Sequence, residues 1–180
     1  MGANSSSPED SKSLMDMFAT PAVGYLQIKN EKSAIYVHWL FALKDVNLGQ
    51  FEANFISIIY NAFCYLEIHW RALVDDIEKG KISNNPMPIE DQAIVKQLEK
   101  RLGGPDPKRA KFLFDEFSKG MEGIAPRIWP NLRCLLTTNT GGFQLYQSKL
   151  HKFVPPAIPT YSPLYGGFFY DISCSEYRVF

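Results

Sequence analysis

Trp129-Pro-Asn-Leu-Arg-Cys-Leu-Leu-Thr-Thr-Asn-Thr-Gly-Gly-Phe-Gln-Leu-Tyr146, answered downstream by Tyr161-Ser-Pro-Leu-Tyr-Gly-Gly167, is the stretch that decides the fold. Its apolar run predicts a buried strand over residues 132–138 that runs into Thr140-Gly141-Gly142. A helix is predicted over about residues 143–153, ended by Pro155, Pro156 and Pro159, and the next strand over 160–165. A strand, a crossover and a strand in so few residues imply parallel pairing, with any ligand at the strand carboxyl ends. Both glycine pairs fall at such ends.

Upstream, the pattern is helical. Ser33 is a candidate N-cap for a helix running through Ile35 to Asp45, and Gly49 closes that region. Phe51, Phe55, Ile58, Ile59, Phe63, Leu66, Trp70, Leu73 and Ile77 then recur at steps of three and four, with Gly80 beyond the end. This is the strongest helix signal in the chain. Two weaker helices follow, one over 89–102 closed by Gly103-Gly104, and one over about 108–119 opened by Asp106-Pro107 and closed by Gly120. Residues 13–18 predict a short helical turn, and Thr20-Pro21 extended chain.

The layout is helices first and a short β-α-β unit last, so the expected class is α/β. Two or three strands do not make an independent parallel sheet, which needs several strands and cover on both faces. The expectation is a slice of a larger domain. Residues 1–19 read as a polar tail, 20–167 as a partial domain and 168–180 as a divergent tail.

Composition excludes several classes. The chain has 180 residues, 46% hydrophobic and 14% aromatic, enough for one core. Lys plus Arg and Asp plus Glu both number 19, which is not the footprint of a nucleic-acid binder. No apolar run approaches the ~20 residues needed to cross a bilayer, and no membrane association is expected. Met1-Gly2-Ala-Asn-Ser-Ser6 matches the myristoylation pattern in form, and is read as a chance match. Cys64, Cys134 and Cys174 lack CxxC spacing, which fits a reducing, cytoplasmic setting without structural zinc. His38, His69 and His151 share no metal-binding spacing, so no metal site is expected. Cys134 reads as a small core residue, and Asp75, Asp76 and Glu78 as a solvated helix face.

The motifs in order are Thr20-Pro21, Ile35-Tyr-Val-His-Trp-Leu-Phe-Ala-Leu43, Phe63-Cys-Tyr-Leu-Glu-Ile-His-Trp70, Leu73-Val-Asp-Asp-Ile-Glu-Lys-Gly80, Pro107-Lys-Arg-Ala110, Arg127-Ile-Trp-Pro130, Thr140-Gly-Gly142 with Tyr146, and Tyr161 to Gly167. Together they resemble the plant auxin-responsive acyl-acid amido synthetases, the Gretchen Hagen family. The resemblance implies membership of the adenylate-forming superfamily, with ATP and Mg2+ as cofactors and a carboxylic acid and an amino acid as substrates. It implies that Thr140, Gly141, Gly142, Tyr165, Gly166 and Gly167 line the nucleotide. It also implies that Tyr36, Trp39, Leu40, Phe143 and Tyr146 wall the acyl-acid pocket.

The chain departs from the family pattern in three places. A glycine-rich phosphate loop is absent, since Ser5-Ser6-Ser7 lacks the glycines. After Tyr165-Gly166-Gly167, Phe168 and Phe169 stand where the resemblance places a small or hydroxyl residue and a glutamate, and phenylalanine cannot hold a hard cation. The later ribose-gripping aspartate and the mobile C-terminal domain find no counterpart either. No catalytic residue is therefore assigned, and the fragment is expected to be inactive alone. The alternative is a non-catalytic binding module from the same family. Self-association through open sheet edges is expected in either case.

Overall fold

The computed structural model describes residues 18–83, 85 and 88–162, apart from the side chain of Tyr25. The expected turn at 13–18 and the tails therefore lie wholly or mostly outside the described residues, as do Tyr165, Gly166 and Gly167.

Helix α1 (Ala22–Gln27) starts directly after Pro21, which is extended at ψ 152° and serves as its N-cap. Proline at a helix entry is tolerated because its missing N–H is not needed there, so the extended Thr20-Pro21 leads into a helix that the sequence reading did not mark. Helix α2 (Glu31–Lys44) is capped by Asn30, whose side chain accepts from the Ser33 amide at 3.1 Å. Ser33 is thus the third helical residue and not the cap. Every residue from Tyr36 to Leu43 is buried, so α2 is enclosed on all sides.

The main departure from the sequence reading comes next. Gln50–Phe55 is a strand, β1, and the long helix α3 begins only at Ile56 and runs to Lys79. Phe51 and Phe55 lie four apart and fit the helical spacing that continues through Ile58 and Ile59. They equally fit the two-residue period, with Phe51 and Ala53 buried and Gln50 and Asn54 exposed. Pairing with a neighbouring strand decided between the two periods. At the far end, Gly80 adopts the left-handed conformation at φ 66° and its amide bonds Asp76 O.

Asp91 caps α4 (Gln92–Leu102), accepting from the Ala93 amide at 2.7 Å. Asp106 caps α5 (Pro107–Ser118), accepting from the Arg109 amide at 3.0 Å with Pro107 at the first position, as the sequence implies. The short α6 (Ile124–Ile128) leads to β2 (Cys134–Thr138). A 3-10 turn (Gly141–Phe143) then opens α7 (Gln144–Leu150), and the chain returns as β3 (Thr160–Tyr161).

The sheet order is β1-β2-β3 and both pairings are parallel. Parallel pairing of β2 and β3 across α7 is what the crossover argument requires. Phe51, Ala53, Leu135 and Thr137 point into the core, where Trp39, Phe51, Phe63, Trp129 and Phe153 form a connected aromatic cluster. Both indole N–H groups are satisfied: Trp39 Nε1 donates to Ala62 O at 2.8 Å and Trp129 Nε1 to Ala42 O at 2.9 Å. The cluster joins α2, α3 and the sheet into one body.

Two assignments change on the polar side. Asp76 is fully buried, accepting from Tyr36 Oη at 2.9 Å, Ser83 Oγ at 2.8 Å and the Ser83 amide at 3.1 Å. It is three residues past Leu73 on the core stripe, so it pins α2 to the end of α3 and is not part of a solvated face. Cys134 points away from the aromatic cluster and is only half-buried, like Leu136 and Thr138 beside it.

Candidate functional site

Because all three strands are parallel, their carboxyl ends share one edge of the sheet. Phe55 ends β1, Thr138 ends β2, and Tyr161 is the last residue of β3. The chain leaves β2 through Asn139 and Thr140 into the turn at Gly141–Phe143. Gly141 has φ 63°, a region where an L-residue with a Cβ is strained. Gly142 has an ordinary φ. A Cβ built on either glycine meets nothing within 4 Å, so this backbone faces open space.

An aromatic wall stands beside the turn. Phe143 stacks on Phe55 with ring centroids 4.9 Å apart and planes 19° from parallel. One turn further along α7, Tyr146 tilts against Tyr60 of α3 at 5.7 Å, and the Lys149 ammonium lies 5.9 Å from both tyrosine rings. Asn139 Nδ2 donates to Gln147 Oε1 at 3.2 Å, tying the end of β2 to α7. Phe55 and Tyr60 were not among the sequence-derived site residues. Nothing in the linear pattern marks Phe55, because it is turned out of the core by a β-bulge at Ala53-Asn54, a shift of register between β1 and β2.

Thr140, Gly141, Gly142, Phe143 and Tyr146 therefore come together at the carboxyl edge. Tyr36, Trp39 and Leu40 do not join them. All three are fully buried in α2, and the polar atoms of Tyr36 and Trp39 bond Asp76 and Ala62 O inside the core. Their apolar run coincides with enclosure of α2 on every side, and in this structure all three lie in the core away from the glycine turn. Burial, followed by the neighbouring Asp76, pushes the Tyr36 phenol well above its usual range, so it stays a neutral donor.

His38 and His69 make contacts within the fold. His38 Nδ1 lies 2.8 Å from Thr20 Oγ1, and burial lowers its pKa to about 4. The His69 ring contacts Tyr65 at 4.2 Å. Among the described residues no group of three or more His, Cys, Asp or Glu side chains could hold a metal ion, and no helix is long and apolar enough to cross a membrane. Cavities of about 560 and 620 Å³ lie along α1, α2 and α4, and none of the expected site residues lines them.

Comparison with known proteins fits this arrangement. The family model described as "GH3 family N-terminal domain" matches residues 2–159. The chain belongs to the GH3 family. It is 31% identical over 125 residues to the indole-3-acetic acid-amido synthetase GH3.15 of Arabidopsis thaliana, covering 69% of this chain and 20% of that protein. It is 28% identical over 139 residues to the jasmonoyl–L-amino acid synthetase JAR4 of Nicotiana attenuata, covering 75% of this chain and 23% of that one. The solved GH3.15 acyl acid amido synthetase superposes with a TM-score of 0.71 at 26% identity, covering 82% of this chain and 26% of that chain. The same synthetase in complex with 2,4-DB gives a TM-score of 0.67 at 27% identity, over 76% of this chain and 24% of that one. This GH3 chain thus spans about a fifth to a quarter of the length of these relatives. Its helix-rich architecture with a small parallel sheet is that of part of the GH3 N-terminal domain.

Proposed function

We propose that this GH3 chain carries the ligand-facing sheet edge of an ATP-dependent acyl-acid amido synthetase. The whole reaction would join a carboxylic acid to ATP as an acyl-adenylate, releasing pyrophosphate, and then pass the acyl group to the amine of an amino acid, releasing AMP. The observation that carries the reading is the meeting of a side-chain-free turn, Gly141-Gly142, with the Phe55–Phe143 wall at the carboxyl ends of parallel strands. Likeness to synthetases of indole-3-acetic acid and of jasmonoyl–amino acid conjugates supports it.

In this reading Thr140, Gly141 and Gly142 lie along the adenylate, where an open backbone lets the ligand approach closely. Phe143 and Tyr146 face the acid's apolar body. ATP supplies the adenylyl group, and its departure as AMP is what makes the acyl carbon reactive toward the amine. Tyr165, Gly166 and Gly167 remain assigned to the nucleotide on sequence resemblance alone. Among the described residues no group of three or more His, Cys, Asp or Glu side chains could hold a metal ion, and no step is routed through Mg2+. No residue is assigned to the amino acid. A cytoplasmic setting accords with Cys64 and Cys134, both free thiols. Within the described residues both outer strands have an open edge, which favours self-association, readable as a molar mass above 20.5 kDa.

Phe168 and Phe169, standing where the resemblance calls for a hydroxyl residue and a glutamate, support the further reading that this chain does not complete adenylation alone. The test pairs two measurements. Carboxylate-dependent ATP–pyrophosphate exchange is expected at the level of a no-acid control, while AMP is expected to shift the Gly141 and Gly142 amide resonances. Exchange above the control refutes inactivity. Amide signals that ignore AMP at millimolar concentration refute the nucleotide assignment.

A further inference from the structure

The cavity of about 620 Å³ along α1 and α4 has two kinds of lining. Part of it is apolar: Phe18, Pro21 and Val23, with the buried Phe41 of α2. The rest is basic, because Lys100 and Arg101, both exposed, reach it from the last turn of α4. Neither cation is engaged by the groups around it. The carbonyls at the end of α4 are already served by Lys44, whose Nζ donates to Leu102 O and Gly104 O. The neighbouring carboxylate, Glu99, accepts from the Ile82 amide at 3.1 Å. No ion pair among the described residues includes Lys100 or Arg101. An apolar wall facing two such cations fits an occupant that is acidic and partly apolar.

The chain carries such a segment at the mouth of this groove. Phe18, the first described residue, lines the cavity, so residues 9–17 lead directly into it. They hold the carboxylates Glu9, Asp10 and Asp16 against the single cation Lys12, together with the apolar Leu14, Met15 and Met17. We propose that the groove between α1 and α4 is a docking surface for this acidic segment of the same chain. Its carboxylates pair with Lys100 and Arg101, and its apolar residues cover the wall around Phe41. A tethered segment meets its site at an effective concentration in the millimolar range, so weak contacts suffice. Each exposed ion pair changes the ratio of docked to free segment about 1.5- to 5-fold, and two together about 2- to 25-fold.

Limited proteolysis of the intact chain with chymotrypsin, read by mass spectrometry at the bonds after Leu14 and Met17, tests this. Cleavage follows the population of free segment when docking is fast. A synthetic peptide of residues 9–20 with the matching sequence gives the unprotected rate for each variant. The wild-type chain is expected to be cut more slowly than its peptide. Lys100→Glu combined with Arg101→Glu should lower that protection about 2- to 25-fold. Asp16→Lys should lower it too, and it leaves α4 untouched should reversed charges unsettle the end of that helix. Combining all three substitutions should restore part of the protection, since the charges are then exchanged. A wild-type segment cut at its peptide's rate overturns the docking. Protection that neither set of substitutions lowers overturns the pairing with Lys100 and Arg101. Protection that fades on dilution assigns the groove to the segment of a second copy, and overturns docking within one chain.

Discussion

Lowering the pH should unlatch the N-terminal segment from the core through His38. Its Nδ1 lies 2.8 Å from Thr20 Oγ1, and burial alone holds its pKa at about 4, against 6.5 for an ordinary histidine. Above the ordinary value both folded and unfolded chains carry a neutral ring, and the group adds no pH dependence. As the pH falls below that value the unfolded chain takes up a proton that the folded chain refuses, so stability is lost between 6.5 and 4. At pH ~5 the two titrations differ by about 1.5 pK units of proton binding, or about 2 kcal/mol. Below the folded pKa the loss levels off at about 3 kcal/mol. Urea denaturation reads this directly: with a slope of ~2 kcal/mol per molar, the midpoint should fall by about 1 M between pH ~7 and ~5. His38→Asn retains a polar atom near Nδ1 but cannot titrate in this range. It should lower stability at neutral pH through its smaller volume, yet flatten the pH dependence by about 2 kcal/mol relative to the wild type. Wild-type and variant curves that run parallel from pH ~7 to ~5 would refute the reasoning, whatever their offset.

Two more outcomes follow from buried contacts. Tyr36→Phe removes the phenol that donates to Asp76 at 2.9 Å and leaves the ring's volume in place, so its cost isolates one hydrogen bond to a buried carboxylate. We expect a loss of about 1.5–3 kcal/mol in urea unfolding at neutral pH, and a loss below about 0.5 would mean that the contact is idle. Gly80→Ala should be far worse than Gly103→Ala, although both glycines have positive φ. A Cβ at Gly80 would sit 2.2 Å from Gly104 C and 2.3 Å from Pro105 N, whereas at Gly103 it meets nothing within 4 Å. The first substitution adds an overpacking cost to the backbone strain, about 2–5 kcal/mol in sum, and the second costs only the strain of about 1–2 kcal/mol. Thermal or urea unfolding of the two variants checks the order, and equal losses would contradict it.

Local punctuation made much of this GH3 chain readable. Asp106-Pro107 opened a helix, and Gly80 and Gly103 ended two others, because caps and left-handed glycines act within a few residues of chain. The parallel return from β2 to β3 was equally legible, since a helix between two strands leaves no room for a hairpin. The turn at Thr140-Gly141-Gly142 was legible because a glycine pair after a strand marks a turn, whereas Phe143 and Tyr146 were named only through the family resemblance, and the structure sets them beside that turn.

What the linear pattern left undecided depended on partners distant in sequence. Phe51 and Phe55 satisfy the periods of both helix and strand, and only pairing with β2, some eighty residues away, selected the strand. The bulge that exposes Phe55 leaves no composition signal at Ala53-Asn54, because it is a mismatch between two strands and belongs to neither alone. Tyr36, Trp39 and Leu40 could as well have lined a pocket as filled a core, until α2 was enclosed on every side. Asp76 reads as a surface charge until Tyr36 and Ser83 arrive from elsewhere in the chain to satisfy it. Sequence alone thus determined where helices stop and which way the chain returns, since those are short-range steric and hydrogen-bonding choices. Tertiary structure decided which apolar and charged residues face inward, because burial is a property of what the rest of the chain brings against them.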